Sequence, residues 1–389
     1  MHSNSPISDA EMARRRSLAE AVMKDLELDA MIAQAREDWV GSYVRWLTDI
    51  PANNGYPRTV IVHPDRPMTV IEMGSFGGDI DLTDNPVHRG VGRMLTTPSF
   101  VSVGYTTGYD AELTVQALAE AGARRVGLLC PGALPHALVA ALTAAGLELV
   151  DATDALDTVK AVKSAEEIAL ITATAELQDA VFAEICDFLR PGVTDRQVAA
   201  HAEAAARRLG SDQGIHLGLS APVGSPSRFL NRPFQTREIA AGDHLSVLIE
   251  VNGPGGLYTE IARTMVLGSA TDELLAAFET VRAAQDHTLS LIRPGAAPAD
   301  IAAAHDAWMV ARGLPPETRL YAHGQGCEMV ERPLIRRDET LALAEGMCLA
   351  VHPGYDDGTV FAVICDNYMV TAEGVGPCLH KTEKKIFEL

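Results

Sequence analysis

A change of pattern near residues 155–163 constrains the fold of this 389-residue chain more than any other feature. Before it, helical stretches alternate with short β-branched runs, as in "AELTVQALAEAGARRVGLLC", which is typical of an α/β layer. After it, pairs of amphipathic helices precede groups of strands, which indicates an α+β arrangement. The sequence therefore predicts two domains, an α/β domain over 1–158 and an α+β domain over 159–389.

The second domain begins with a helix whose start is visible in the sequence. Ser164 followed by Glu167 forms a capping-box pattern, and apolar spacing continues from there to "RPG". A second helix is predicted after Thr194. Further helices are predicted at about 272–292 and 298–312, and strands at about 215–224, 245–251, 258–267, 347–352, 360–366 and 367–372.

Charge and cysteine usage exclude several classes of partner. The formal net charge of −20 disfavours nucleic acid and anionic membranes. No apolar run approaches the roughly 18 residues of a membrane span, and the segment "MHSNSPISDAEMARRR" lacks the apolar run of a secretory signal. The six cysteines are scattered without a C-x-x-C pair, which favours a reducing compartment. We expect a cytoplasmic protein that acts on a small molecule.

Two glutamates flank a glycine-rich turn in "LIEVNGPGGLYTEIART". The turn is short enough to bring Glu250 and Glu260 together on a hairpin. Paired carboxylates in one pocket suit cation binding or acid–base work, because their repulsion raises one pKa. The alternative is a pair of solvated glutamates at strand ends, which is where glutamate is usually found.

Three further residues interrupt apolar or glycine-rich stretches. His323 lies in "AHGQGCEMVERPLI", where the glycines permit a close backbone approach. His352 ends the run "MCLAVHPG", and Cys365 lies in "VFAVICD". A lone histidine is more often structural than a ligand, and a cysteine in an apolar run is usually an inert core residue.

Taken together, these segments resemble the creatinase/prolidase/aminopeptidase P superfamily, which has the pita-bread fold. The resemblance implies an α/β N-terminal domain and an α+β pita-bread catalytic domain. It covers most of the chain, because the segments follow in the family's order: "YVRWLTDI", "VKSAEEIALI", "RPGVTDRQV", "AAGDHLSVLIEV", "GLYTEIARTMVLG", "IRPGAAPADI", "AHGQG", "ERPLI", "EGMCLAVHPG" and "CDNYMVT".

The peptidases of that superfamily hold two metal ions with two Asp, one His and two Glu residues. By position, these ligands correspond here to Glu250, Glu260, His323, His352 and Cys365. Four of the five residue types therefore differ, and only the histidine is kept. Because bridging carboxylates hold two hard cations together, a standard dinuclear aminopeptidase is not expected. The Glu of the family's "HE-x-P" segment is kept as Glu331, whereas the preceding His is Val330.

Creatinase has the same fold and cleaves a C–N bond without metal, using a histidine whose position falls on Asn231 here. We therefore expect a metal-independent, cofactor-free hydrolase or lyase that cleaves a C–N or related bond in a small, amino-acid-like or zwitterionic substrate. In this interpretation His323 is the acid–base group and Glu331 orients it. Glu250 and Glu260 serve as base or cation anchor.

The same interpretation assigns the remaining candidate residues. Cys365 beside His352 is an activated nucleophile if the two are hydrogen-bonded, or else part of the pocket wall. Arg263 holds a substrate carboxylate or forms a structural ion pair. Asn231 and Tyr258 are assigned to substrate binding.

Three alternatives remain open on the sequence. Glu260, His323, His352 and Cys365 are a reasonable ligand set for a single Zn or Fe ion, which would make the chain a mononuclear metal-dependent hydrolase. An Xaa-Pro-type aminopeptidase is another alternative, and a non-catalytic binding protein is the third, since fold does not fix function. The resemblance also implies a homodimer.

Overall fold

In the first part of the chain, the alternating segments form one mixed β-sheet with helices around it. A computed structural model describes residues 6–52, 55–230 and 234–389, and it divides into the units Met1–Lys160 and Ala161–Leu389. In the first unit the helices are α1 (Asp9–Asp25), α2 (Tyr43–Thr48), α3 (Tyr109–Glu120), α4 (His136–Ala144) and α5 (Thr153–Lys160). The strands are β1 (Ala30–Ala35), β2 (Arg58–Val62), β3 (Met68–Met73), β4 (Gly78–Asp81), β5 (Val91–Thr97), β6 (Arg125–Leu128) and β7 (Glu148–Asp151).

The sheet of the first unit runs in the order β4-β5-β3-β2-β1-β6-β7. The pairs β3–β5, β1–β6 and β6–β7 are parallel, and the others are antiparallel. Every residue of β2 is buried, and four of its five residues are β-branched, which suits a strand that is covered on both faces.

The second unit contains four long helices and several small sheets within the described residues. The helices are α6 (Ala165–Phe188), α7 (Asp195–Arg208), α8 (Asp272–Leu291) and α9 (Pro298–Val310). The strands are β8 (Gly214–Ala221), β9 (His244–Asn252), β10 (Tyr258–Val266), β11 (Ala322–Gly324), β12 (Glu331–Leu334), β13 (Cys348–Val351), β14 (Gly354–Asp356), β15 (Phe361–Val363), β16 (Asp366–Thr371), β17 (Gly374–Cys378) and β18 (Phe387–Glu388).

The helix starts follow the capping chemistry in the sequence. Ser164 caps α6 and Thr194 caps α7, and each has a complete capping box with the residue three positions on, Glu167 and Gln197. Helix α6 packs its apolar face, which includes Val181, against β9 and β10 in one hydrophobic core. The predicted helix starts are thus confirmed.

Two sheets of the second unit supply the residues of interest. One has the order β18-β10-β9-β8, and the other has the order β12-β11-β13-β16-β17. They are joined at an isolated bridge between Ala262 of β10 and Cys365, whose backbone groups exchange two hydrogen bonds of 3.3 Å. Residues on β10, β11 and the end of β13 are thereby brought close together.

The predicted α/β and α+β classes are confirmed, and so is the hairpin at the glycine-rich turn, where Glu260 of β10 pairs directly with Glu250 of β9. Several short strands, among them β11 and β12, were not predicted, because two- to four-residue strands have too few residues to show a period. Among the described residues, none of the helices has the length and apolarity needed to cross a membrane.

Candidate metal centre

Three side chains from separate strands meet in the second unit. Glu260 lies on β10, His323 lies on β11, and His352 follows β13 directly. Each offers one ligand atom, and the three atoms all lie within 4.8 Å of one another. The two imidazole rings are edge-to-face with centroids 5.1 Å apart. Two imidazole nitrogens and one carboxylate form a donor set that suits Zn²⁺ or Fe²⁺.

The backbone fixes which nitrogen of His323 faces this cluster. Nδ1 lies 2.9 Å from the carbonyl oxygen of Gly324. A carbonyl can only accept, so Nδ1 carries the proton and the neutral ring presents the lone pair of Nε2. That nitrogen lies 3.6 Å from Oε2 of Glu260. When the ring is neutral, two acceptor atoms face each other, an arrangement that a cation between them would stabilise.

His352 presents a second ring nitrogen without a partner. Its Nε2 is inaccessible to solvent and has no hydrogen bond, which is costly unless a ligand or ion is bound. Burial lowers the pKa of His352 to about 4, although the nearby Glu260 carboxylate opposes the shift. The ring is therefore neutral near pH 7, as a metal ligand must be. This orphaned atom is the observation that best fits the implied metal.

The two glutamates differ in charge because they share one buried space. Burial raises the pKa of Glu250 well above its usual range, and the neighbouring Glu260 carboxylate raises it further. Burial also acts to raise the pKa of Glu260, but His352, His323 and the Cys365 thiol favour its anion and bring the pKa to about 2. Of the two carboxyl groups, Glu250 is therefore the one that favours the neutral form, and Glu260 is the one that favours the anion.

Cys365 does not have the surroundings of a nucleophile. It is fully buried, and burial together with the Glu260 carboxylate raises the pKa of its thiol well above the usual range. A reactive thiolate needs a cationic or proton-accepting partner that lowers this pKa. Within the part of the chain that the structure describes, Cys365 is also outside the group of mutually close ligand atoms. The nucleophile role therefore stays a prediction, and these surroundings favour the other alternative, in which Cys365 forms part of the pocket wall.

Glu331 is buried against a lysine. Its Oε2 lies 2.5 Å from Nζ of Lys163, and its Oε1 accepts the backbone N–H of Glu328 at 3.2 Å. The predicted orientation of His323 by Glu331 stays a prediction. A glycine at position 326 leaves room for the Lys163 side chain, because a Cβ on Gly326 would lie 2.6 Å from Lys163 Nζ.

Arg263 is part of the protein interior and cannot hold a substrate carboxylate. It is fully buried, and its Nη2 donates to Oδ1 of Asp366 at 2.6 Å. Its other four N–H groups donate to the backbone carbonyls of Ala262, Cys365, Thr382 and Glu383. All five donors of the guanidinium are used, so the structural ion pair is the correct alternative.

The remaining substrate-binding predictions are not settled by the contacts. Tyr258 is the first residue of β10 and is fully buried, and its backbone N–H donates to the carbonyl of Gly326 at 2.6 Å. Asn231 lies outside the described residues. The sequence interpretation missed two polar residues, Gln325 and Asn367, which are fully buried beside the glutamates. In the sequence, the signal for both was a polar side chain in a segment that carries candidate site residues, "HGQG" for Gln325 and "CDNYMVT" for Asn367.

Comparison with known sequences places this arrangement among metallopeptidases. The sequence model of metallopeptidase family M24 matches residues 169–372, more than half of the chain. The probable dipeptidase PepE of Mycobacterium tuberculosis is 29% identical over 246 residues, which are 61% of this chain and 64% of that protein. The Xaa-Pro dipeptidase of Pyrococcus furiosus is 25% identical over 244 residues, 60% of this chain and 67% of that protein.

Solved structures share the fold along almost the whole chain. The dipeptidase PepE of Mycobacterium ulcerans superposes with a TM-score of 0.75 at 22% identity, covering 98% of both chains. The Xaa-Pro dipeptidase from Bacillus anthracis has a TM-score of 0.76 at 19% identity, covering 97% of this chain and all of the other. The predicted pita-bread fold and superfamily are confirmed.

These findings correct two expectations. A metal-independent hydrolase or lyase was expected from the loss of the family's carboxylate ligands, and no cofactor was expected for the same reason. Both are wrong, because the matching family is one of metallopeptidases and the relatives are named as peptidases. The donor atoms of Glu260, His323 and His352 also converge as a metal site requires. Three donor atoms that could hold an ion therefore remain together despite the changed residue types.

Proposed function

Since the chain belongs to metallopeptidase family M24, we propose that it is a metal-dependent hydrolase that cleaves the amide bond of a small peptide. Glu260, His323 and His352 would hold one divalent ion. Two observations support this most directly: one ligand atom from each of the three residues converges in one group, and the solvent-inaccessible Nε2 of His352 has no hydrogen bond.

The three ligands fit a catalytic ion better than a structural one. Structural zinc sites are closed by four protein ligands, whereas catalytic sites have three and an open position. An ion held in this way supplies a Lewis acid that polarises the substrate carbonyl. The donor set of two histidines and one glutamate suits Zn²⁺, and Fe²⁺ is the other ion that it fits.

The side chains around the ion would each have one task. The Gly324 carbonyl holds the His323 ring so that Nε2 faces the cluster. Glu260 supplies the negative charge that offsets the cation. Glu250, directly across the hairpin and outside the group of three ligand atoms, is the proposed acid–base group. Cys365 closes the wall behind Glu260.

The substrate class follows from the relatives and from the walls of the site. The relatives are named as dipeptidases and Xaa-Pro dipeptidases, which favours dipeptides. An apolar cluster that includes Ala262, Ala350 and Cys365 adjoins the ligands, and the half-buried Leu217 and Phe229 pack against it. Because Arg263 is not available for a carboxylate, we propose that an apolar side chain of the substrate contacts this wall.

The test is hydrolysis of a panel of dipeptides before and after metal removal. The panel contains apolar, acidic and Xaa-Pro dipeptides. We expect the protein to lose its activity when a chelator removes the ion, and to regain it with about one equivalent of Zn²⁺ or Fe²⁺. Apolar dipeptides should be cleaved faster than acidic ones. Hydrolysis that persists in metal-free protein would contradict the proposal.

The proposed catalytic domain is residues 159–389, since all three ligands and the family match fall within it. A homodimer and a cytoplasmic location remain predictions. Size-exclusion chromatography with light scattering and localisation of the tagged protein would test them.

A further inference from the structure

A chain of buried amide groups lies behind the two glutamates of the hairpin. Gln325 donates from Nε2 to Oε1 of Glu250 at 3.0 Å and to the carbonyl of Met329 at 3.0 Å. Its Oε1 accepts from Nδ2 of Asn367 at 2.7 Å. Oδ1 of Asn367 accepts the backbone N–H of Glu260 at 2.7 Å. Gln325 and Asn367 are both fully buried.

Backbone groups at the two ends fix the direction of this chain. The N–H of Glu260 can only donate, so the oxygen of Asn367 faces it and its nitrogen faces Gln325. The carbonyl of Met329 can only accept, so the nitrogen of Gln325 faces both it and Glu250. Both amides are therefore oriented by fixed partners, and an N–H group of Gln325 points at Glu250.

The far end of the chain is anchored on another element. Nε2 of His380 lies 3.3 Å from Oδ1 of Asn367, so this nitrogen donates. Nδ1 of the same ring lies 3.7 Å from Oδ1 of Asp179 on α6. Asp179 in turn accepts the backbone N–H groups of Lys381 and Thr382. Nδ1 of His380 has no hydrogen bond, but the amides of Gln325 and Asn367 have fixed partners on both sides, which holds these two side chains in place.

The direction of the Gln325 amide has a consequence for metal binding. The positive end of the Gln325 amide dipole points at Glu250. In a centre with two ions, a second cation would lie there and balance the charge of the Glu250 carboxylate. On the other glutamate, the Cys365 thiol hydrogen-bonds to the Glu260 carboxylate. Donor groups of the protein therefore contact both carboxyl groups that two cations would have to share.

We propose that Gln325, positioned by Asn367, restricts the centre to one metal ion and keeps Glu250 out of the ligand set. This inference rests on the proposed metal site at Glu260, His323 and His352. Gln325 acts here as a positioning residue, because it contacts Glu250 and not the ion.

The test measures Mn²⁺ binding by calorimetry and electron paramagnetic resonance on the full chain. The wild-type protein should bind about one equivalent and show the spectrum of an isolated ion. Glu250→Gln keeps an acceptor for Gln325, so its affinity should change by less than about tenfold, whereas Glu260→Gln removes a ligand and should weaken binding by more than about 100-fold.

A second variant tests Gln325 itself. Gln325→Glu replaces the N–H donor with a carboxylate, and we expect it to bind a second ion and give the spectrum of a coupled pair about 3.5–4 Å apart. The control is Gln197→Glu, which adds the same charge at an exposed position that caps α7. It should still bind a single ion.

The outcomes separate this inference from the proposed function. Two coupled ions in the wild-type protein, a loss of binding in Glu250→Gln equal to that in Glu260→Gln, or a folded Gln325→Glu that still binds one ion would each overturn the inference and leave metal-dependent hydrolysis standing. A wild-type protein that binds neither Mn²⁺ nor Zn²⁺ nor Fe²⁺ would overturn both. If Gln325→Glu does not fold, the wild-type stoichiometry and the two glutamate variants still decide the matter.

Discussion

Substitution of His352 by alanine is expected to abolish metal binding and to reduce dipeptide hydrolysis by at least about a thousandfold. Loss of a residue that only hydrogen-bonds to a metal ligand typically reduces metal affinity or activity by about 10- to 100-fold, so the expected effect is larger. The reason is that His352 supplies one of only three donor atoms in the cluster found among the described residues. Loss of one donor leaves two, which is too few for a stable catalytic site. Metal content and turnover of the purified variant provide the measurement.

A matched control separates loss of a ligand from loss of folding. His287 is half-buried on α8, stacks on Trp308 and is outside the cluster, so His287→Ala should keep its metal and its activity. Circular dichroism should show both variants folded. A His352→Ala protein that keeps one ion and most of its turnover would remove His352 from the ligand set.

Substitution of Arg263 by methionine is expected to destabilise the protein by about 3–5 kcal/mol, because removal of one partner leaves a buried charge uncompensated. The arginine is fully buried, its ion pair with Asp366 is 2.6 Å long, and four backbone carbonyls would also lose their donor. Lys384, whose Nζ lies 3.8 Å from the other oxygen of Asp366, can offset only part of this loss. Urea unfolding measures the change.

An exposed ion pair provides the comparison for Arg263. Arg282 pairs with Glu279 on the surface of α8, and both side chains are exposed. Arg282→Met should therefore change the free energy of unfolding far less, since exposed pairs contribute little. An Arg263→Met protein as stable as Arg282→Met, with impaired substrate binding, would instead support a substrate-binding role for Arg263.

The parts of the fold that were predicted correctly depend on local chemistry. The capping boxes at Ser164 and Thr194 define helix starts with residues three positions apart. The hairpin between Glu250 and Glu260 follows from a short glycine-rich turn. Each of these features involves neighbours in sequence, so the pattern alone is sufficient.

The parts that were missed depend on contacts between distant residues. Arg263 meets Asp366 across 103 positions, and Lys163 meets Glu331 across 168. The sequence around Arg263 or Lys163 does not show which of the many acidic side chains will be its partner. The amide chain through Gln325 and Asn367 likewise connects three strand segments that are distant in sequence. Hydrophobic periodicity does not predict such a contact.

The metal prediction failed for a physical reason that the structure makes clear. In the family, carboxylates bridge two ions, and histidine cannot take that role. A single ion needs no bridge, and imidazole is a good ligand for it. Glu260, His323 and His352 were named as an alternative set with Cys365, but only the fold shows that three of these four donor atoms converge.

X-ray absorption at the metal edge of protein loaded with one equivalent of Zn²⁺ tests the central claim most directly. A single ion held by His323, His352 and Glu260 predicts two imidazole ligands at about 2.0–2.1 Å, oxygen ligands at about 2.0–2.2 Å and no sulfur at about 2.3 Å. It also predicts no second metal at about 3.5–4 Å. A metal–metal distance in that range, a zinc–sulfur bond or a spectrum without imidazole would contradict the account.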